Sequence, residues 1–440
     1  MIPERLTTSA TWRSARIAGL VAALTARSAV TAVRARVDAD PDRLRRQARA
    51  RNADALRSTL GGMKGGALKV GQLLSTVDSL FPPDPDRTWT EALTSLQESN
   101  PPMPWSQVEP ALRRALGPSW RTTLVEVDQV PVAAASLGQV HRGRWHDGRD
   151  VAVKVQYPFA KDVLLSDLRA LGASLRVAGA LVPGLVAAPL VGELRLRAAQ
   201  ELDYRHEARA QAAVAAAFAA SSEYAVPDVV AVGDGVLVGE WLEGRPLVSV
   251  ADDDEPVRAE VAARYQRFAL LAPARAGWLH ADPHPGNFRV TPDGRLGVLD
   301  FGAVVEMPEG LPSSFGRLVR AFADLGDGDA EQLEEALRSA GLVRPGRSVD
   351  LVGLGAVMAP FGEPSRHDEF RFSPQWLRSC FARDDAARDP DYSAALGLTL
   401  PPEQLMTQRV WLGVVGVLCR LDVTIPVRPV MRELLPGFDG

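Results

Sequence analysis

GWLHADPHPGNFRVTPDGRLGVLDFG, running from Gly277 to Gly302, sets Asp282 and Asn287 five positions apart and puts Asp300 at the head of an Asp-Phe-Gly. Phosphoryl transfer needs a carboxylate to orient the attacking hydroxyl, and oxygen ligands for the magnesium ions that bridge the nucleotide phosphates. Asp282 suits the first task, and Asn287 and Asp300 suit the second. Between them, FRV and LGVLD are short apolar runs joined by Thr291-Pro292-Asp293-Gly294. This pattern predicts a hairpin with Asn287 at one end and Asp300 at the other. Asp-Phe-Gly alone occurs by chance in long chains; joined to His-x-Asp-x-His-x-x-Asn at this distance, it points to chemistry.

Upstream, Ala133-x-Ala135-x-x-Gly138-x-Val140 precedes Val151-Ala152-Val153-Lys154. A kinase covers its nucleotide with Gly-x-Gly-x-x-Gly-x-Val and pairs the α- and β-phosphates with a Lys on a following strand. Here Gly138 and Val140 are kept, while Ala133 and Ala135 stand where the first two glycines would be. Each added methyl narrows the backbone and obstructs close approach to a phosphate, so the nucleotide pose is expected to differ. The plain alternative is a hairpin with one stem-buried Lys. An active kinase also pairs this Lys with an acid on a nearby helix. Glu207, in Gln200-Glu-Leu-Asp-Tyr-Arg-His-Glu-Ala208 at the head of an Ala-rich helix, is the candidate, with Asp203 one turn earlier on the same face. Glu201 and Asp203 also suit the first turn of any helix. Asp228 to Leu242 reads as two strands around Gly233-Asp234-Gly235, ending at a hinge where the backbone of Glu240 to Leu242 would meet adenine.

The 440 residues are enough for two or three domains. A net charge of -4 argues against a general nucleic-acid binder, yet residues 1–60 carry twelve Arg against five acids. Arg13, Arg27 and Arg34 fall on one helical face beside Ile17, Val21 and Leu24. That face fits an anionic membrane surface or packing on its own domain equally well. The Arg-rich start also has the composition of an organelle transit peptide. Two cysteines, Cys380 and Cys419, form no disulfide framework, and paired Cys/His spacings for zinc are absent. Val177 to Gly192 is the longest uncharged apolar run, at 16 residues broken by Pro183 and Pro189. A spanning helix needs about 20 residues, so the expectation is a cytoplasmic protein, or a peripheral one at the inner membrane face. Only four of the 50 Lys plus Arg are Lys. One of them, Lys69 of Lys69-Val-Gly-Gln72, sits in a helical stretch without a scaffolding reason. After Gly302 the chain reads as helical, clearest at Ala330–Ala340 and Pro402–Leu421. No Ala-Pro-Glu follows at activation-segment distance, and Ala281 stands where a phosphate-receiving Arg would be.

Together, LKVGQ, AAASLGQVHRG, VAVK, QELDYRHEA, HADPHPGN and LDFG resemble the UbiB/AarF family of atypical kinase-like ATPases across about residues 60–305. The resemblance implies an α+β, bilobal protein-kinase-like fold with an all-helical N-terminal extension and a helical C-lobe. It also implies magnesium-dependent ATP or ADP binding, ATPase rather than ready protein kinase activity, and a link to isoprenoid quinone or other lipid metabolism. In that family the Lys of Lys-x-Gly-Gln contacts the Glu-x-Asp pair over the active site. This carries over as a regulatory set of Lys69, Gln72, Glu201 and Asp203. The expected division is a basic arm at 1–45, the extension at 46–125, an N-lobe at 126–242 and a C-lobe at 243–440. Two other readings stand beside this one: a small-molecule kinase of aminoglycoside or choline type, and a scaffold that binds nucleotide without turnover.

Overall fold

Val151, Val153 and Val155 are fully buried and alternate with the partly exposed Ala152, Lys154 and Gln156. This period of two marks a strand with one face on a core. In the computed structural model, which describes residues 102–134, 137–158, 202–324, 330–343, 362–381 and 402–439 with isolated positions besides, that strand is central to one of two compact units. Lys69, Gln72, Ala135, Glu201 and all but isolated positions of the basic arm lie outside the described residues.

The first unit takes residues 1–206 and 229–241. Its elements begin with α1 (Trp105–Leu116), the single turn α2 (Trp120–Thr123), β1 (Leu124–Val127), β2 (Ala133–Ala134), β3 (Gly138–Trp145) and β4 (Asp150–Gln156). After α3 (Tyr204–Phe218) and β5 (Tyr224–Ala225), the chain returns with β6 (Val229–Gly233) and β7 (Val236–Glu240). The antiparallel sheet runs β1-β3-β4-β7-β6, with β2 added against β3. Helix α1 covers one face. Its Val108, Ala111 and Leu112 recur at helical spacing and join Trp120, Leu124, Trp145 and the valines of β4 and β7. Each Val or Leu so buried contributes about 1.5–3 kcal/mol. That packing holds α1, which has no side-chain cap at Pro104. The other face carries a cross-strand row of Ala133, Val140, Lys154 and Leu237.

A buried polar bridge pins the start of this helical segment. Gln139 Oε1 accepts from Met103 N–H at 2.6 Å, and Gln139 Nε2 donates to Met103 O at 3.1 Å and to His141 Nε2 at 2.9 Å. His141 Nδ1 then donates to Asp128 O at 2.7 Å. Every polar atom of the two side chains has a partner only when His141 is neutral with its proton on Nδ1.

The second unit takes residues 207–228 and 242–440. It groups most of α3 with the C-terminal half of the chain, whereas α1 groups with the first sheet. Its spine is α4 (Glu255–Ala276), buried chiefly between Val261 and Pro273 and closed by Gly277 at φ 70, the left-handed cap at which the diagnostic stretch begins. Short strands follow: β9 (Trp278–His280), β10 (Phe288–Val290), β11 (Leu296–Val298) and β12 (Val304–Glu306). With β5 and β8 (Arg245–Pro246) they form a β5-β11-β10-β8 sheet and a β9–β12 pair. Next come α5 (Ser313–Ala323), α6 (Ala330–Ser339), β13 (Glu369–Phe372), α7 (Pro374–Phe381), α8 (Pro402–Leu421), β14 (Val423–Pro426) and α9 (Arg428–Leu434). The expected helical tail is therefore interrupted. β13 pairs with β14, with Phe372 opposite Val423. Each strand is only four residues long and its partner is remote, so neither shows in a local pattern.

Candidate active site

The expected hairpin is β10–β11, with Phe288 opposite Val298 and Val290 opposite Leu296. Pairing continues one step beyond the strands, where Leu299 N–H donates to Asn287 O at 2.8 Å. The β9–β12 pair places Val304 opposite His280, and Ala281 N–H donates to Ala303 O at 2.9 Å. Asp282, Asn287 and Asp300 thus lie just beyond adjoining strand ends of one unit.

Within the loop, His284 N–H donates to Asp282 Oδ1 at 3.3 Å, and Gly286 N–H to His284 Nδ1 at 3.1 Å. Asn287 Nδ2 donates to Asp282 O at 3.2 Å, so Oδ1 is the amide atom left for a cation. Asp300 adopts φ 55, a left-handed conformation that costs an ordinary residue about 1 kcal/mol and that Asp tolerates better than most. Its Oδ1 accepts from Gly302 N–H at 3.1 Å.

His280 Nε2 lies 3.0 Å from Asp300 O and 3.2 Å from Leu299 O. Two carbonyl acceptors require the proton on Nε2. The ring packs against Phe268, Phe288 and Phe301. The first His of the motif is therefore a brace under Asp300.

Two further supports carry no sequence motif. Tyr265 of α4 donates its hydroxyl to Pro283 O, and α8 meets the same proline at Gly413, where an added Cβ would collide with the ring. Burial, with a smaller contribution from the charge of Asp282, pushes the Tyr265 phenol well above its ordinary pKa, so it stays a donor. Tyr265 lies in α4, seventeen residues before Asp282, and nothing in its local pattern marks it.

Oxygen donors from one carboxylate and one amide suit Mg2+, which is commonly held by one or two protein ligands together with substrate phosphates. Asn287 and Asp300 fit that role. Among the described residues, no group of three or more His, Cys, Asp or Glu forms a self-sufficient metal site.

In the first unit, Ala133 is exposed on β2 opposite Val140, which is in turn opposite Lys154. Gly138 has a packing reason to be glycine: a Cβ there would lie 2.5 Å from Val155 O. Lys154 Nζ stands 5.3 Å from the centroid of the Tyr204 ring. Asp203 precedes α3 and accepts from Arg205 N–H at 3.0 Å, so it caps the helix start. It therefore stands just ahead of the helix that carries Glu207, whereas the sequence reading put both residues on the helix. Glu207 is buried in the first turn. The Glu240 carboxylate is held by Arg149 at 2.7 Å, and Trp241 N–H donates to Asp150 O at 2.9 Å. The chain passes from one unit to the other between Trp241 and Leu242. Leu242 packs on Gly297, where a Cβ would come 2.5 Å from Leu242 Cδ2.

Residues 95–337 match the family described as the ABC1 atypical kinase-like domain. The chain is 31% identical over 299 residues to the atypical kinase coq-8, mitochondrial, of Caenorhabditis elegans, covering 66% of this chain and 39% of the worm protein. It is 33% identical over 282 residues to the atypical kinase COQ8B, mitochondrial, of Rattus norvegicus, covering 63% and 52%. The chain thus spans about half or less of these curated relatives. Among solved structures, Rv3197 of Mycobacterium tuberculosis in complex with erythromycin is similar at 36% identity and TM-score 0.67, covering 91% of this chain and 99% of that one.

Proposed function

Because the chain belongs to the ABC1 atypical kinase-like family, we propose that it binds ATP or ADP with magnesium and acts as an atypical kinase or ATPase. The observation that supports this reading most is the gathering of Asp282, Asn287 and Asp300 beyond the paired ends of β9–β12 and β10–β11. In this reading Asp282 orients the attacking hydroxyl or water, while Asn287 and Asp300 hold magnesium. When bound there, magnesium would supply neutralisation of phosphate charge. Lys154, with Glu207 as its acidic partner, takes the α- and β-phosphates under the Ala133–Val140 loop, and the backbone near Glu240 and Leu242 receives adenine. Lys69 and Gln72, with Glu201 and Asp203, hold the extension across the site. The activity is linked to isoprenoid quinone or other lipid metabolism, with an anionic membrane surface and an isoprenoid lipid as partners.

A second reading concerns the ligand. The similarity to Rv3197, solved with erythromycin, favours a bulky macrolide as a binder here as well. Phosphate release from ATP, with and without anionic liposomes, prenyl-phenols and erythromycin, tests both readings. Magnesium-dependent release that disappears in Asp300→Asn is expected; Asn tolerates the left-handed backbone, so the fold is kept. Unchanged affinity and magnesium dependence in that variant would overturn the assignment.

A further inference from the structure

We infer that Tyr204 is a positioning residue that holds the Lys154 ammonium at the phosphate loop through its aromatic face, and thereby sets nucleotide affinity. The inference rests on the nucleotide-binding reading above. Tyr204 is the first residue of α3 and is 3% exposed. Its ring centroid is 5.3 Å from Lys154 Nζ, inside the reach of about 6 Å over which a cation is attracted to a π face. The same side chain borders the loop, since a Cβ on Gly138 would lie 2.9 Å from Tyr204 Oη. One residue therefore touches both the retained loop glycine and the phosphate-binding lysine.

The surrounding backbone is fixed to the strand that carries the lysine. Gln156, two residues beyond Lys154 on the same face of β4, donates from Nε2 to Leu202 O at 3.2 Å. Asp203 N–H donates to Gln200 O at 3.0 Å, and the Asp203 carboxylate caps Arg205 N–H at 3.0 Å. Tyr204 is gripped on both sides. A lysine has a long flexible stem, and ordering it costs rotamer entropy. An aromatic face limits where the ammonium can sit without using up any of its three N–H donors, so it acts alongside the acidic partner proposed above. The role carries more weight here because Ala133 and Ala135 replace two of the glycines that let the loop backbone approach phosphate.

The test uses the full chain. Tyr204→Phe keeps the ring and drops the hydroxyl; Tyr204→Leu keeps apolar bulk and drops the π face. A graded series with mono-, di- and trifluorinated phenylalanine at position 204 weakens the π face while preserving shape, so it remains informative if the Leu variant folds poorly. Only four lysines are present, so 13C-lysine NMR resolves Lys154, assigned through Lys154→Arg. Its ε-methylene signal should be ring-current shifted in the parent and in Tyr204→Phe, and lose that shift in Tyr204→Leu. Calorimetry with magnesium ADP should give near-parent affinity for Tyr204→Phe. Tyr204→Leu should bind roughly 2- to 30-fold more weakly, the range a cation–π contact spans, with a stepwise decline along the fluorinated series. Three outcomes overturn the inference: no ring-current shift in the parent, equal loss in the Phe and Leu variants, or affinity indifferent to fluorination. If the parent shows the shift but binds no nucleotide, the functional reading itself fails, and this inference falls with it.

Discussion

Pro283 sits between Tyr265 and Gly413, and the two contacts fix the backbone one residue beyond Asp282. Tyr265→Phe removes a donor from a part-buried carbonyl, at a cost of about 1 kcal/mol. Because the carbonyl belongs to the loop and not to a nucleotide contact, kcat for phosphate release should fall while KM for ATP changes little. Steady-state kinetics at a temperature where melting curves show the variant still folded would check this; an unchanged kcat would mean that the clasp is only structural. The carboxylates and the amide were legible in the sequence because their chemistry demands particular residue types at particular spacings. Tyr265, Gly413 and Tyr204 were not, since each acts through a contact that only tertiary packing creates. His280 was legible as a motif letter but not as a brace, because its role depends on the carbonyls of Leu299 and Asp300 folding over it.

At the scale of elements, the Gln139–His141 bridge makes the first unit's stability depend on pH. Burial lowers the His141 pKa from its ordinary 6.5, opposed by the smaller effects of the Asp128 carbonyl and charge. The unfolded chain takes up a proton near 6.5, whereas the folded one resists until lower pH, so the unfolded state binds more protons in that window. Stability should therefore be full above about pH 7 and decline as the pH drops below about 6.5. A protonated ring would also turn an N–H toward the Gln139 amide donor. Urea midpoints at pH 5.5 and 7.5 should differ more for the parent than for His141→Asn; equal differences would refute the bridge as the source. The phosphate loop offers a paired test. Gly138→Ala forces β3 and β4 apart at Val155 O and should cost about 1–3 kcal/mol in stability. Ala135→Gly should leave melting near that of the parent and shift the ATP-to-ADP affinity ratio. If nucleotide preference is unmoved in Ala135→Gly, the loop assignment is wrong. The β10–β11 hairpin was readable because its signal is local, a turn between two short apolar runs. The β13–β14 pair was not, because Arg371 finds Thr424 across a long intervening stretch.

For the whole molecule, no helix among the described residues is long and apolar enough to cross a membrane. Separately, if the basic arm meets an anionic surface, each Arg near that surface contributes about 1 kcal/mol, an attraction that salt screens. Deleting residues 1–40 should reduce flotation on anionic vesicles, and salt should have the same effect on the intact chain. Equal flotation of both forms would exclude the arm as the anchor. The remote pairing of β13 with β14 also bears on synthesis. As a nascent chain leaves the ribosome, Phe370 and Phe372 emerge well before Val423 and Ile425, the residues opposite them. Until those arrive, the strand offers bare backbone and aromatic surface to other growing chains. Translation stalled in that interval would yield a polypeptide that carries Asp282, Asn287 and Asp300 yet is prone to aggregate, so chaperone demand should peak there.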